Sequence, residues 1–569
     1  MALQIWLPLT KDLRNQGLSN VTVTNNGATF NSAGKLGGCY SFGTGNSYIT
    51  VDSTPLKTFT EFSFACWVKI ISWNTSYSTV FAAKNGTSVG WTNLIFALLR
   101  NSSNSTLCFN IADGSSHTTT TNCQTGTLSL NTWYHIVCTY KSGEIRLYQD
   151  GDVVSTFKTT VTPNFNSIVN LWIGKSNANS YQSNNLLNDV RIYDHCLSPM
   201  EVKKLSQGLV LHYPLSDKFL EGTTNLVTSI TSGGQTTWAN NILTTSGTNA
   251  DTYFTLNLSE NIVNGTQYTI SCDAEDIPQG TCWTFPLGQQ GNTALSFQIY
   301  NGHNEYTFTA NNISWGTKRC FMDDGGSPNS ARATGAKCKI YNFQIEKKDH
   351  ATGFAGYGGT RNANTVYDCS GFVNNGTVSG SLTISNDTPK YQVSTHIGAA
   401  SQKIHIPDLI TSGFANTYSF AWWGKNTAFG NKMFWGFSNG IRLNGMYYGT
   451  LWNTGDGSNN PLYKIGTTTQ VSAPSANTWH HYVMTGNGTK CYVYLDGELW
   501  AEAKTYKAIS GTSIYINGWD SGTSYSYDNM DMSDFRIYAT ALSASDVKSL
   551  YQNCATIDPD GTIHGQIRN

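Results

Sequence analysis

Side chains alternate between two faces along WYHIVCTY (133–140) and again along WHHYVMTG (479–486), with β-branched and aromatic residues throughout. That period of two belongs to strands with one face against a core. Asp150-Gly151 and Asp496-Gly497 each separate two such runs. Asp-Gly supplies the positive φ that tight hairpins require. Gly, Asn and Ser punctuate the remaining runs at short intervals. The pattern predicts antiparallel strands stacked as two-sheet sandwiches, an all-β chain.

The pattern also repeats. SFACWVK (63–69) returns as SFAWWGK (419–425), NTWYHIVCTY (131–140) as NTWHHYVMTG (477–486), and NDVRIYDHCLS (188–198) as SDFRIYATALS (533–543). The order is preserved, so the repeat is a whole domain. Ser198-Pro199-Met200-Glu201 reads as a capping box, and Ser543 with Asp546 repeats it. Helices over 199–206 and 544–551 follow. The recurring Asp and Arg are read as parts of a closing strand rather than as catalysts.

The start of the repeat reveals an insertion. LQIWLPL (3–9) matches LVLHYPL (209–215), which takes Pro8 to Pro214, an offset of 206; Trp67 matches Trp423 at an offset of 356. The second repeat therefore begins after the first helix, breaks off, and resumes about 150 residues late, near Thr365. The expected organisation is a first sandwich at 1–207, a second at 208–217 plus 365–554, an inserted sandwich at 218–364, and a tail at 555–569 that forms a docking hairpin. The insert has short alternating strands of its own, YTISCDA, YTFTAN and CKIYNFQIEKK.

Composition narrows the function. Among 569 residues only 12% are charged and the net charge is −1, without any Lys/Arg tract. Nucleic-acid binding is disfavoured on that ground, and no apolar run is long enough for a transmembrane helix. The 13 cysteines form no CxxC pair. Cys66 aligns with Trp422 and Cys138 with Met484, so both behave as buried apolar side chains, and free thiols are expected. MALQIWLPLTKD lacks the features of a signal peptide, and a cytosolic origin is expected.

The ordered set SFACW/SFAWW, NTWYH/NTWHH, YQDG/YLDG, DVRIY/DFRIY and LS resembles LamG-like, concanavalin A-like jelly rolls across both flanking domains. The insert, with its TNLV start and YNFQIEKKDHATGF exit, resembles carbohydrate-binding-module or galactose-binding-like sandwiches found in tail and baseplate proteins of tailed bacteriophages. The openings IWLPLTKDLRNQGLSNVTVTNNG and GLVLHYPLSD are similar to virion proteins of phages infecting Gram-positive or gut bacteria. The resemblance implies a non-catalytic virion protein of tail, fibre or capsid decoration that binds host-surface glycans. An architectural virion subunit without glycan binding and a bacterial surface adhesin are the alternatives. It further implies an oligomer whose partners are other virion proteins and host-surface polysaccharide, located in the virion and assembled in the bacterial cytoplasm, without nucleic acid or membrane insertion.

Related folds include glycosidases, yet the chain has no E-x-D-x-x-E strand, no G-x-S-x-G and no P-loop. His135 and His481 recur without a nucleophile motif and read as structural. LamG-like domains often hold calcium; Asp189 and Asp534 would lie nearest to such a site, and no metal or cofactor is assigned. Sugar binding calls for aromatic faces beside polar groups. Trp238, Trp283, Tyr253 and Trp315 offer these in the insert, and Trp73 and Trp91 in the first sandwich. The competing reading of each is an ordinary core aromatic.

Overall fold

A computed structural model describes residues 3–43, 47–73, 77–86, 93–100, 104–114, 123–175, 184–215, 222–233, 236–239, 242–245, 253–277, 283–286, 296–311, 317–321, 338–362, 364–389, 394–429, 432–438, 442–447, 450–454, 460–523, 525–527, 529–552, 556–557 and 563–564. The chain divides into two compact units, one of residues Met1–Leu215 with Tyr367–Asn569, the other of Ser216–Val366. All sheets in both are antiparallel among the described pairings, and the all-β reading holds.

The first unit contains two sandwiches. In the first, the larger sheet runs Asp152–Lys158, Glu144–Gln149, Trp133–Lys141, Phe62–Ser72, Asn184–Tyr193, Gly37–Phe42 and Thr29–Gly34, and Leu3–Leu7 also pairs with Asn184–Tyr193. The facing sheet runs Val23–Asn26, Tyr48–Val51, Asn170–Ile173, Thr79–Lys84, Leu94–Arg100 and Leu107–Ile111. Their inner faces share one core, in which Phe64 of one sheet stacks on Phe81 of the other at 3.4 Å between ring centres.

The second sandwich repeats the plan. Its larger sheet runs Thr383–Ser385, Ser394–Ile397, Met530–Tyr538, Tyr418–Asn426, His480–Gly486, Cys491–Leu495, Glu498–Ala503 and Leu462–Tyr463. Leu209–Tyr213 pairs with Met530–Tyr538, as Leu3–Leu7 pairs with Asn184–Tyr193. Phe420 stacks on Trp435 at 4.0 Å, in the place of Phe64 on Phe81. Helices Pro199–Ser206 and Ala544–Gln552 follow the two closing strands. Ser198 accepts from the Glu201 amide while the Glu201 carboxylate accepts from the Ser198 amide; Ser543 and Asp546 make the same exchange.

The two sandwiches are wedged together. The Lys35 ammonium donates to the Ala539 carbonyl at 2.7 Å and lies 5.3 Å from the Trp67 ring centre. Burial pushes its pKa down to about 8 against the opposing pull of Asp150. Ser412 donates to the Ser32 carbonyl at 2.6 Å, and Trp6 meets Phe372 edge-on at 5.7 Å. A side chain at Gly413 would strike the Gly34 carbonyl, and one at Gly371 would strike Trp6.

The second unit has a three-stranded sheet of Val227–Gly233, Tyr253–Leu258 and Thr317–Phe321 and a five-stranded sheet of Thr236–Ala239, Ile242–Thr245, Cys338–Glu346, Gln267–Glu275 and Gly302–Thr309. They enclose a core of Val227, Ile230, Leu243, Phe254, Leu256, Tyr268, Ile270, Ile340, Phe343 and Ile345. Buried Asn225 ties the entering chain to the leaving one by donating to the carbonyls of Phe343 and Gly356, both at 3.1 Å. Buried Glu346 accepts from Thr223, Thr352 and Gln344. In the tail, Thr556–Ile557 and Ile563–His564 pair as a small hairpin.

Candidate functional site

The duplicated Asp-x-Arg-x-Tyr segment has the same backbone plan in both sandwiches. Each closing strand carries a bulge, where Asp189 and Asp534 both take φ of 56°. Positive φ at a non-glycine residue is uncommon and persists where its surroundings impose it. In the first copy, Asp189 accepts from the Trp6 indole at 2.7 Å and from the Arg191 guanidinium at 2.8 Å, and that guanidinium lies 4.3 Å from the Trp6 ring centre. In the second, Asp534 accepts from Arg536 at 2.8 Å and bonds His212 at 2.9 Å. Burial opposes ionisation of Asp534, but Arg536 and His212 win and hold its carboxyl well below the usual range.

In each carboxylate one oxygen is already bonded to two nitrogen groups, one of them the arginine guanidinium. A calcium ion needs six or more oxygens, so Asp189 and Asp534 do not fit a calcium site. Among the described residues, no group of three or more His, Cys, Asp or Glu side chains converges as a metal site would require.

A second duplicated set lies on the outer face of each large sheet. Trp67 packs on His135 at 5.1 Å, and Trp423 on His481 at 5.0 Å. The His135 and His481 amides donate to Asp150 and Asp496, both at 2.9 Å. Those aspartates open the hairpins with φ of 54° and 51°. Burial, with Arg191 adding to it, pushes the His135 imidazole down to about 3. A neutral, enclosed imidazole against a tryptophan is packing material here. The thiols are similar: nine described cysteines are free, and burial raises Cys66 and Cys138 far above the ordinary thiol range.

The aromatic candidates separate. Trp238 is half-buried on Thr236–Ala239, the edge strand of the second unit's five-stranded sheet, and meets Tyr357 edge-on at 5.2 Å. Trp73 is half-buried at the end of Phe62–Ser72, and the Arg100 guanidinium occupies one face of its ring at 5.0 Å. Tyr253 opens strand Tyr253–Leu258 and Trp283 opens Trp283–Pro286; their side chains lie outside the description. Trp91 and Trp315 lie outside the described residues. Both rings pack partly buried against a core, Trp238 with Tyr357 edge-on beside it and Trp73 with Arg100 over its face.

A cavity of about 550 Å³ opens on the first sandwich where the turn Lys141–Glu144 meets the start of the first helix; Arg146, Lys158, Thr159, Cys196 and Ser198 also line it. Lys141 is tied to Glu61 at 2.8 Å and Arg146 to Glu144 at 2.7 Å, which neutralises two of its three cations. Residues from three separate stretches of chain meet there, and only strand register brings Glu144 opposite Lys158. The sequence carries no local signal for such a set.

Comparison with known proteins agrees with this architecture. The family model of the concanavalin A-like lectin/glucanases superfamily matches residues 42–203 and 398–548, more than half of the chain. The chain belongs to this superfamily. Its two matched segments are the two sandwiches of the first unit. Among solved structures, it is similar to domain 4 of a GH43 extracellular arabinanase from Geobacillus stearothermophilus in complex with arabinotriose, at 18% identity and a TM-score of 0.29, covering 36% of this chain and 98% of that one. Trypanosoma rangeli sialidase matches at 15% identity and a TM-score of 0.28, covering 36% of this chain and 32% of the sialidase. The botulinum neurotoxin serotype G binding domain matches at 12% identity and a TM-score of 0.29, covering 61% and 92%. No curated protein matches the superfamily member described here.

Proposed function

We propose that this superfamily member is a non-catalytic carbohydrate-binding protein of a tailed-phage virion that attaches to host-surface glycan. The observation that carries the binding reading is Trp238. Its ring is half-exposed on an edge strand and braced edge-on by Tyr357. An amphipathic ring held by a neighbour loses little conformational freedom when a sugar stacks on it. Membership in a lectin-type superfamily supports the same ligand class.

The non-catalytic part rests on how the carboxylates of the strands and turns are used. Asp150, Asp189, Glu346, Asp368, Asp496 and Asp534 all accept from backbone amides or from side-chain donors nearby. A glycosidase needs two carboxyl groups free to face one bond. The virion part rests on the resemblance of the two openings to phage virion proteins and of the insert to modules of tail and baseplate proteins. Single sites of this kind bind sugars weakly, and many copies on one particle raise the effective affinity by about 10² or more.

The test is binding of the full-length protein, coupled to a multivalent carrier, to host envelope polysaccharide. Trp238→Ala should weaken retention at least ~10-fold while the melting temperature stays in place, and Trp283→Ala tests the neighbouring candidate. Normal adsorption of particles that lack the inserted unit would favour the architectural reading instead.

A further inference from the structure

The cavity of about 550 Å³ on the first sandwich rests on the outer face of the large sheet. Cys138, Tyr140, Ile145, Leu147 and Phe157 pack on the core side. Alternation therefore turns Thr139, Lys141, Glu144, Arg146 and Lys158 the other way. Strand register sets them in two rows. Lys141 lies opposite Glu144 and Glu144 opposite Lys158, while Thr139 lies opposite Arg146. Residues 196–199, leading into the first helix, wall one side.

Three cations thus share one concave space with a single lining carboxylate, Glu144. Arg146 holds Glu144 at 2.7 Å, and Lys141 holds Glu61, which is not part of the lining, at 2.8 Å. Lys158 is exposed and makes no ion pair among the described residues. One positive charge is left over. Both ion pairs are open to solvent, and exposed pairs are weak enough to re-form around a ligand. The fold does not require these charges. In the second sandwich Asn487 stands for Lys141, Lys490 for Glu144 and Tyr492 for Arg146, and the strands still pair with Thr485 opposite Tyr492.

We infer that this cavity binds a singly charged oxyanion carried on a polyhydroxyl chain, either a uronate carboxylate or a phosphodiester. Lys158 supplies the unpaired charge, and Arg146 offers a guanidinium fork suited to two oxygens. Ser142, Thr159 and Ser198 line the same space with hydroxyls that match those of the chain. The volume suits about one or two sugar rings. The glycan part rests on the carbohydrate-binding reading above; the oxyanion part stands on the cavity alone.

Affinity electrophoresis of the full-length chain through native gels holding polygalacturonate or poly(glycerol phosphate) tests this. At least one of the two polymers should retard the chain, and which one does so identifies the source of the oxyanion. Lys158→Glu and Arg146→Ala should each weaken that retardation at least ~10-fold. Lys504→Glu makes the same charge change at the matching position of the second sandwich and should not. The polymer should also slow alkylation of the half-buried Cys196 thiol in the cavity, with half-buried Cys369 as the reference. Unchanged melting temperatures check that each variant is folded. A chain that neither polymer retards overturns the inference. So does equal weakening by Lys504→Glu, which would mark a general charge effect, or a Cys196 that the polymer leaves unprotected. These outcomes are separate from those of Trp238→Ala, whose retained binding to host polysaccharide would overturn the stacking reading alone.

Discussion

The two sandwiches of the first unit form an internal control, because one plan has been filled twice with different side chains. What recurs is geometry: the bulged aspartate at φ of 56°, its arginine, the hairpin Asp-Gly, the tryptophan on histidine, and the capped helix. What differs is filling. Cys66 stands where Trp422 stands, Ile136 where Tyr482 stands, and Trp6 where His212 donates to the same aspartate. Trp422 and Tyr482 stack at 5.3 Å in the second core. Backbone-shaping positions are thus held by hydrogen bonds that few residues can make, while filling positions answer only to volume.

The largest effect should come from the shared cluster. Asp534→Asn leaves the Arg536 guanidinium buried without its counter-charge, and Asp189→Asn does the same to Arg191. Each should cost about 3–5 kcal/mol in denaturant unfolding. Equal losses would show that the two clusters are equivalent; a much smaller loss in one copy would break the comparison.

Exchange of the core residues comes next. Trp422→Cys puts the first copy's residue into the second copy's larger space and should cost about 3–5 kcal/mol, because a buried indole leaves a cavity. The reciprocal Cys66→Trp overpacks a fully buried site and should cost about 1–3 kcal/mol. Thermal melts of both decide whether the cores are complementary fillings of one mould.

The seam between the sandwiches sharpens the contrast further. Gly413→Ala drives a methyl into the Gly34 carbonyl and should cost about 1–3 kcal/mol, whereas Gly43→Ala meets open space and should be nearly neutral. Equal melting temperatures for the two variants would mean that the seam yields easily.

The smallest effect at neutral pH belongs to His135, and it grows in acid. Its imidazole is held down to about 3 in the fold by burial and then by Arg191. The unfolded chain binds a proton below about pH 6.5 while the folded chain does not. Stability should therefore fall as pH drops from about 6.5 towards 3, by up to ~1.4 kcal/mol per pH unit from this group. His135→Gln should flatten that part of the profile in urea titrations run from pH 7 to 4.

Much of this architecture was legible along the chain. Period-two alternation, Asp-Gly turns and the Ser-Pro-Met-Glu box act over a few residues, so they appear in sequence and recur as strands, hairpins and the helix Pro199–Ser206. The jump in repeat offset from 206 to 356 has a structural counterpart in Leu209–Tyr213 bonding to Met530–Tyr538. The aromatic candidates were harder to read. Trp73 and Trp238 look alike in sequence, and only packing put Arg100 over the first and Tyr357 beside the second.

By itself the sequence determined the element types, the duplication and the superfamily, because these depend on local periodicity and on motifs read in order. Tertiary structure alone decided which polar groups meet: Trp6 with Asp189 across 183 residues, Lys35 with Ala539 across 504, and the three cations of the first sandwich's cavity. It also decided which edge is covered, by Leu462–Tyr463 in one copy, and which is left open, at Asp152–Lys158 in the other. Such contacts depend on strand order and register between distant segments. A one-residue slip exchanges the two faces of a strand, so no local pattern can encode them.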